Sequence, residues 1–291
     1  MNFDFSDDQK MLKDQARKFL TERSTPKVVR AVLESDGGYD RALWKAIAEM
    51  GWTGTAIPEN YGGLGLGYLE LCVIAEELGR SLAPVPFSST VYLAAEAIIA
   101  GGSEAQKKHW LPKIAGGEVI GCLALSEGAK PALPKTIATT FKSGKLDGKK
   151  VPVLDGGIAD FAIVAARAGD GHGPRDIALV LVDLKGSGVK RESVKTLDPS
   201  RGQAEITFTG AAAEVLGNAS EGWATLERVL DRAAVLTAFE QVGGADATLI
   251  QAKDYALGRY AFGRQIASFQ AIKHKLADMY VYNELARSNA Y

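Results

Sequence analysis

The spacing of apolar residues changes twice along this chain, and that change limits its folds more than any other feature. As far as about residue 118 they recur every three or four positions, the mark of amphipathic helices. Ser6 and Gln9 form a capping-box pattern ahead of Met11, Leu12, Phe19 and Leu20. Leu43, Trp44, Ile47 and Met50 predict a second helix over 41–50. The glycine-dense stretch 57–67 predicts a loop. A helix over 69–78 follows, with Gly79 as its C-cap. Pro84 and Pro86 precede a helix over 90–99, and Ser103 opens a short one that should stop before Pro112. Gly116 and Gly117 close the segment.

From about 119 the apolar runs become short and β-branched, at 119–125, 161–165, 177–182 and 204–208. Gly, Pro and Asp turns separate them, including 169–174. From Glu221 the helical period returns through Leu226, Leu230, Ala233, Ala234 and Leu236 to Val242. Helices, then strands, then helices is an α+β order. It predicts a helical N-terminal domain at 1–118, a central antiparallel β domain at 119–217 and helices at 218–291.

Composition narrows the function. A net charge of -1 over 291 residues gives no electrostatic case for nucleic acid or an anionic membrane. No apolar run approaches the ~20 residues of a membrane span. The acidic N-terminus lacks a secretory or transit pattern, so the expected compartment is the cytoplasm. Cys72 and Cys122 lie in apolar surroundings, with no metal or disulfide spacing. They are expected to be buried free thiols. His109, His172 and His274 form no ligand cluster, and no metal site is expected.

One stretch is not explained by periodicity alone. Arg259, Phe262, Gly263 and Arg264 set an aromatic-glycine step between arginines. It runs into Phe269, Ile272, Leu276 and Met279 at helical spacing. Gly263 inside such a pattern costs about 1 kcal/mol against Ala, so it marks a boundary or a close contact. A loop followed by a helix start would look the same.

The stretch from Tyr255 through Phe262 and Gly263 to Gln270 and Met279 resembles the second signature of the acyl-CoA dehydrogenase family. The loop at 58–65 and the turn Asp198, Pro199, Ser200, Arg201 resemble two further family features, and the resemblance runs along essentially the whole chain. It implies an acyl-CoA dehydrogenase-like fold and FAD-dependent α,β-dehydrogenation of an acyl-CoA thioester. It also implies an oligomer, a dimer of dimers, with an electron-transferring flavoprotein as acceptor. Arg259, Phe262 and Gln270 would then reach the FAD of a neighbouring subunit.

The resemblance also has gaps. Leu125, Ser126 and Glu127 match the start of the family's flavin segment, but the Gly-Ser-Asp portion of the following loop is missing. Ser126 is a candidate for a flavin edge or for satisfying its own backbone. The turn at 146–150 matches the family's Asn-Gly-x-Lys. Pro152 and Leu154 then stand where relatives carry an aromatic residue and a Thr against the flavin. Relatives continue beyond the length of this chain, and most carry the catalytic base on that later loop. The base is therefore expected to be absent, the chain being a C-terminally short version of the family. Where some members place a base and an Arg on the helix after 221, this chain has Ala233 and Ala234. Glu240, two turns on, is the remaining candidate base, against the bland reading of a solvated or salt-bridged side chain.

Three readings follow. The chain is an acyl-CoA dehydrogenase, or a flavin-poor subunit that donates residues to a partner's FAD in a heteromer, or a relative with oxidase or monooxygenase chemistry. Heteromeric members act on bulky ring-bearing acyl-CoAs, so steroid side chains join fatty acids as substrate classes.

Overall fold

A computed structural model describes residues 5–35 and 38–291. The helices that open the chain are α1 (Asp7–Arg23), α2 (Pro26–Leu33), α3 (Arg41–Glu49) and α4 (Tyr68–Arg80). An eight-residue π-helical segment, Ser88–Ala95, runs into α5 (Glu96–Gly101), and α6 (Glu104–Ala115) follows. The strands are β1 (Gly121–Ala124), β2 (Thr140–Lys142), β3 (Lys145–Leu154), β4 (Phe161–Arg167), β5 (Ile177–Asp183), β6 (Val189–Val194) and β7 (Gln203–Val215). Then come α7 (Gly222–Gly258), a small hairpin of β8 (Tyr260–Ala261) and β9 (Arg264–Gln265), and α8 (Gln270–Ala290).

Two compact units result. One gathers Met1–Thr25, Tyr68–Ala83 and Ala234–Tyr291; the other gathers Pro26–Gly67 and Pro84–Ala233. No described helix is long and apolar enough to cross a membrane.

The second unit is built on a seven-stranded sheet. β4 and β5 read as continuous apolar runs and are buried along nearly their whole length, as strands covered on both faces must be. β3 and β7 alternate buried and exposed residues. The sheet is mostly antiparallel, but β4 pairs in parallel with both β1 and β2, so the expected antiparallel domain is in fact mixed. Ile98, Leu111, Ile114, Phe161, Ile163 and Leu226 meet in its core.

Pro112 does not end α6. Leu111 and Ile114 on either side of it are fully buried, and the Gly116 amide still donates to the Pro112 carbonyl at 2.9 Å. The proline removes one intrahelical bond, which the buried last turn outweighs. The 146–150 match is likewise no turn. It lies inside β3, where the register to β7 shifts between Leu146 and Gly148. The turn sits one step earlier, at Ser143 and Gly144, both with positive φ.

In the first unit, the capping box of Ser6 with Gln9 starts α1. α1 then meets α4 through charge. Glu76 and Glu77 of α4 are each only 1% exposed. Glu76 accepts from Lys13 at 2.7 Å and also pairs with Arg287 of α8. Glu77 takes a two-pronged contact from Arg17 at 2.7 and 3.1 Å. Burial pushes the Glu76 carboxyl up, but hydrogen bonds from Lys13 and Arg287 outweigh it and hold the group below the usual range.

Gly79 lies inside α4 instead of capping it. A Cβ there would sit 2.0 Å from the Glu240 carbonyl oxygen on α7, and one on Gly243 would sit 1.9 Å from the Glu76 carbonyl oxygen. The two glycines are what let α4 and α7 touch backbone to backbone. Both thiols are buried, as their surroundings suggested. Burial pushes Cys72 up to about 12 and Cys122 up as well.

Candidate functional site

The residues singled out in the sequence fall into two sets, one on each unit. The first set follows β1. Leu125 and Ser126 are half-buried there and run beside β3. The Val151 amide donates to the Ser126 carbonyl at 2.8 Å, and the Gly128 amide donates to the Val151 carbonyl at 2.8 Å. Glu127 accepts from the amides of Ala138 at 2.7 Å and Thr139 at 3.0 Å.

Behind this segment stands Lys150, whose side chain has no exposed surface. Its ammonium donates to Glu127 Oε1 at 2.7 Å and to the Leu125 carbonyl at 3.0 Å. Burial pulls the Lys150 ammonium down to about 8, opposed by Glu127. Burial raises the Glu127 carboxyl, but Lys150 and the two backbone amides bring it below the usual range. Ser126 is left with an amide N–H and a hydroxyl that bond to no described residue.

Pro152 is exposed and Leu154 half-buried, and neither side chain can offer a hydrogen bond. The next residue, Asp155, is 5% exposed at φ 55°. Ser89 donates to its Oδ2 at 2.6 Å, while Arg201 pairs with Ser88. Burial pushes the Asp155 carboxyl up to about 6, against the Ser89 bond and the Arg201 charge. A folded-state value above that of the unfolded chain, about 3.9, stabilises the fold at low pH. That contribution is lost as pH rises through about 6. Asp155→Asn should therefore gain stability over wild type by about 1–3 kcal/mol between pH 4 and pH 7. Urea midpoints of both proteins across that range check this; a difference that stays flat with pH contradicts it.

The second set lies on the other unit. The stretch around Gly263 is a two-residue hairpin, with Tyr260 opposite Gln265 and Ala261 opposite Arg264. Phe262 and Gly263 form its turn at φ 53° and 75°, the left-handed pair that such a tight turn demands. Gly263 is thus a turn glycine and not a close contact, since a Cβ on it would meet nothing within 4 Å. The Ile266 amide closes the hairpin onto the Arg259 carbonyl at 2.8 Å.

At the tip, Phe262 is 96% exposed. Its ring meets Phe269 edge-on at 6.3 Å, and the Arg264 guanidinium covers Phe269 at 4.0 Å. Arg259 is exposed, and its guanidinium bonds to no described residue. Gln270 opens α8 and lies 3.4 Å from His274. Arg259, Phe262 and Gln270 therefore cluster on one outward-facing feature.

The predicted stripe of α8 exists but is not covered. Ile272 and Leu276 are half-buried, Met279 is exposed, and Asn283 is the buried residue of the helix. Glu240, on α7, is half-buried and engaged with neighbouring groups of the chain. Ala233 is buried and Ala234 exposed.

The family model described as "Acyl-CoA dehydrogenase, N-terminal domain" matches residues 6–118, and "Acyl-CoA dehydrogenase, C-terminal domain" matches residues 220–291. The chain belongs to the acyl-CoA dehydrogenase family. Its relatives include the mitochondrial isovaleryl-CoA dehydrogenase of Pongo abelii, 31% identical over 98% of this chain and 71% of the relative. The butyryl-CoA dehydrogenase of Megasphaera elsdenii superposes with a TM-score of 0.91 at 28% identity, over 100% of this chain and 79% of that one. The structure of the "Tcur3481-Tcur3483 steroid ACAD G363A variant" matches with a TM-score of 0.86 at 33% identity, over 97% and 76%.

Acyl-CoA dehydrogenases are FAD flavoproteins, and part of this chain fits that cofactor. The unpartnered N–H and hydroxyl of Ser126 offer two donors to a polar ring edge. The unpaired Arg259 offers a cation to a phosphate. Pro152 and Leu154 add no hydrogen bond. Sequence reasoning met Lys150 only as part of the 146–150 match, without a role, and passed over Asp155. Two consecutive lysines, Lys149 and Lys150, ahead of Val151 were a visible anomaly for a strand, whereas Asp155 before two glycines looked like any turn residue.

Proposed function

We propose that the chain serves FAD-dependent α,β-dehydrogenation of an acyl-CoA thioester. The observation that carries this is that Arg259 and Phe262 on a preformed hairpin, and Gln270 at the start of α8, all face outward in a chain of this family. FAD, when bound, would supply the acceptor for the substrate's β-hydrogen, transferred as hydride. Ser126 and Leu125 face the ring edge, and Arg259, Phe262 and Gln270 serve the cofactor of a neighbouring subunit. The α-proton needs a carboxylate within hydrogen-bond reach. Ala233 and Ala234 offer none, and Glu240 is the remaining candidate among the residues of this chain.

On this reading the chain works in the cytoplasm as an oligomer, a dimer of dimers. Its segments 1–118, 119–217 and 218–291 act as the family's three domains. An electron-transferring flavoprotein takes the electrons.

Pro152 and Leu154 favour a second reading, in which this chain is the flavin-poor partner in a heteromer and donates the hairpin to the other subunit's FAD. The steroid relative carries a paired name, Tcur3481-Tcur3483, which points the same way. The visible spectrum of the purified chain separates the two. Stoichiometric bound flavin, bleached by acyl-CoA without oxygen, supports the first reading. Colourless protein that turns yellow only with a co-expressed homologue supports the second. Peroxide released on admitting oxygen would indicate an oxidase instead.

A further inference from the structure

Lys150 is buried and charged, and the chemistry described so far gives it no task. A lysine without exposed surface is uncommon, because taking its charge out of water costs several kcal/mol unless partners replace the water. Those partners are Glu127 Oε1 at 2.7 Å and the Leu125 carbonyl at 3.0 Å. Packing alone would be better served by a methionine. Glu127 is already held by the amides of Ala138 and Thr139. What Lys150 adds is a grip on one peptide plane.

That plane joins Leu125 to Ser126. In a trans peptide the C=O and the following N–H lie in one plane and point in opposite directions. Turning the Leu125 carbonyl inward to Lys150 therefore turns the Ser126 N–H outward. That N–H bonds to no described residue. The following carbonyl, that of Ser126, is pinned independently by the Val151 amide at 2.8 Å. Both peptide planes around Ser126 are thus fixed from the β3 side, while its N–H and hydroxyl are left for a ligand.

We propose that Lys150 is a positioning residue for cofactor binding. By holding the Leu125 carbonyl it aims the Ser126 N–H at the polar edge of the flavin ring. Glu127 acts one step further back, as the counter-charge that keeps the ammonium in place. The inference rests on the reading of the 125–127 segment as a flavin edge site.

The test uses the full chain titrated with FAD, alongside amide hydrogen exchange at 125–139. Lys150→Met is expected to weaken FAD binding about tenfold, the loss of one well-aimed hydrogen bond. With FAD loaded, it should also speed exchange at Ser126 and shift the visible band of the bound flavin. Glu127→Gln removes the counter-charge that keeps the ammonium in place, so it should weaken FAD binding in the same direction, by less than Lys150→Met.

A single substitution that leaves one buried charge risks unfolding the chain. The double variant Glu127→Gln with Lys150→Met removes both charges, and it should still show the tenfold loss. A merely structural role would lower the melting temperature of the variants and leave FAD affinity per folded chain and the flavin band unchanged. That result, with wild type binding FAD, overturns the inference alone. Wild-type chain that takes up no FAD overturns the flavin-edge reading and the inference with it.

Discussion

Gly243→Ala is expected to lower the stability of the chain by about 2–4 kcal/mol, while Gly244→Ala, one residue on, raises it by about 1 kcal/mol. Helix propensity alone predicts the same gain for both, since each glycine lies inside α7. Sterics separate them. A Cβ on Gly243 falls 1.9 Å from the Glu76 carbonyl oxygen and 3.0 Å from the Arg80 amide, both backbone atoms that cannot swing aside. A Cβ on Gly244 meets its nearest atom, the Gly79 carbonyl oxygen, at 3.6 Å, an ordinary contact. To admit Ala at 243, α7 must lift from α4. That would loosen the seat of Glu76, which holds Lys13 and Arg287. Paired urea melts of the two variants give the answer. Equal shifts of the same sign would refute the backbone contact between these helices.

Arg259→Ala should leave the fold intact and strip the protein of cofactor. The side chain is exposed and bonds to no described residue, so its removal should change stability by no more than about 0.5 kcal/mol. If it reaches a phosphate of FAD, the lost charge-assisted bond is worth about 1.5–3 kcal/mol, or about 10- to 150-fold in affinity. Flavin content per chain after desalting, measured beside the melting temperature, separates the two effects. Full flavin content in the variant would remove the hairpin from the cofactor site. Arg259→Lys keeps the charge without the planar fork and should recover only part of the affinity.

Long-range periodicity made the architecture legible. The order of helices and strands, the capping box at Ser6 and the loop at 57–67 are all present. Two of the failures share a cause, that tertiary contacts override local signals. Gly79 carries a C-cap signal, yet its lack of a side chain serves a helix crossing. Pro112 carries a stop signal, yet Leu111 and Ile114 hold the turn on both sides of it. β2, β3 and β6 escaped notice for another reason: charged residues mask their alternation.

The candidate site was legible where its residues lie close together in the chain, as at Leu125 and Ser126 and at the hairpin. Arg259, Phe262 and Gln270 stand out as a motif because their spacing is local. The roles of Lys150 and Asp155 depend on residues 23 to 66 positions away, and no window along the chain brings those together.

The turn at Phe262 has one more consequence. A bulky side chain at φ 53° sits in a backbone region that costs about 1 kcal/mol or more for any residue with a Cβ. Here it does so at the outermost point of a hairpin, where no core contact compensates. The chain by itself therefore carries this finger already bent. A partner that receives it meets a shape fixed in advance, with little left to order on contact. Assembly through such a finger should be limited by collision and orientation more than by refolding. On the reading proposed above, Phe262 meets the neighbouring cofactor on a turn set before there is anything to close on.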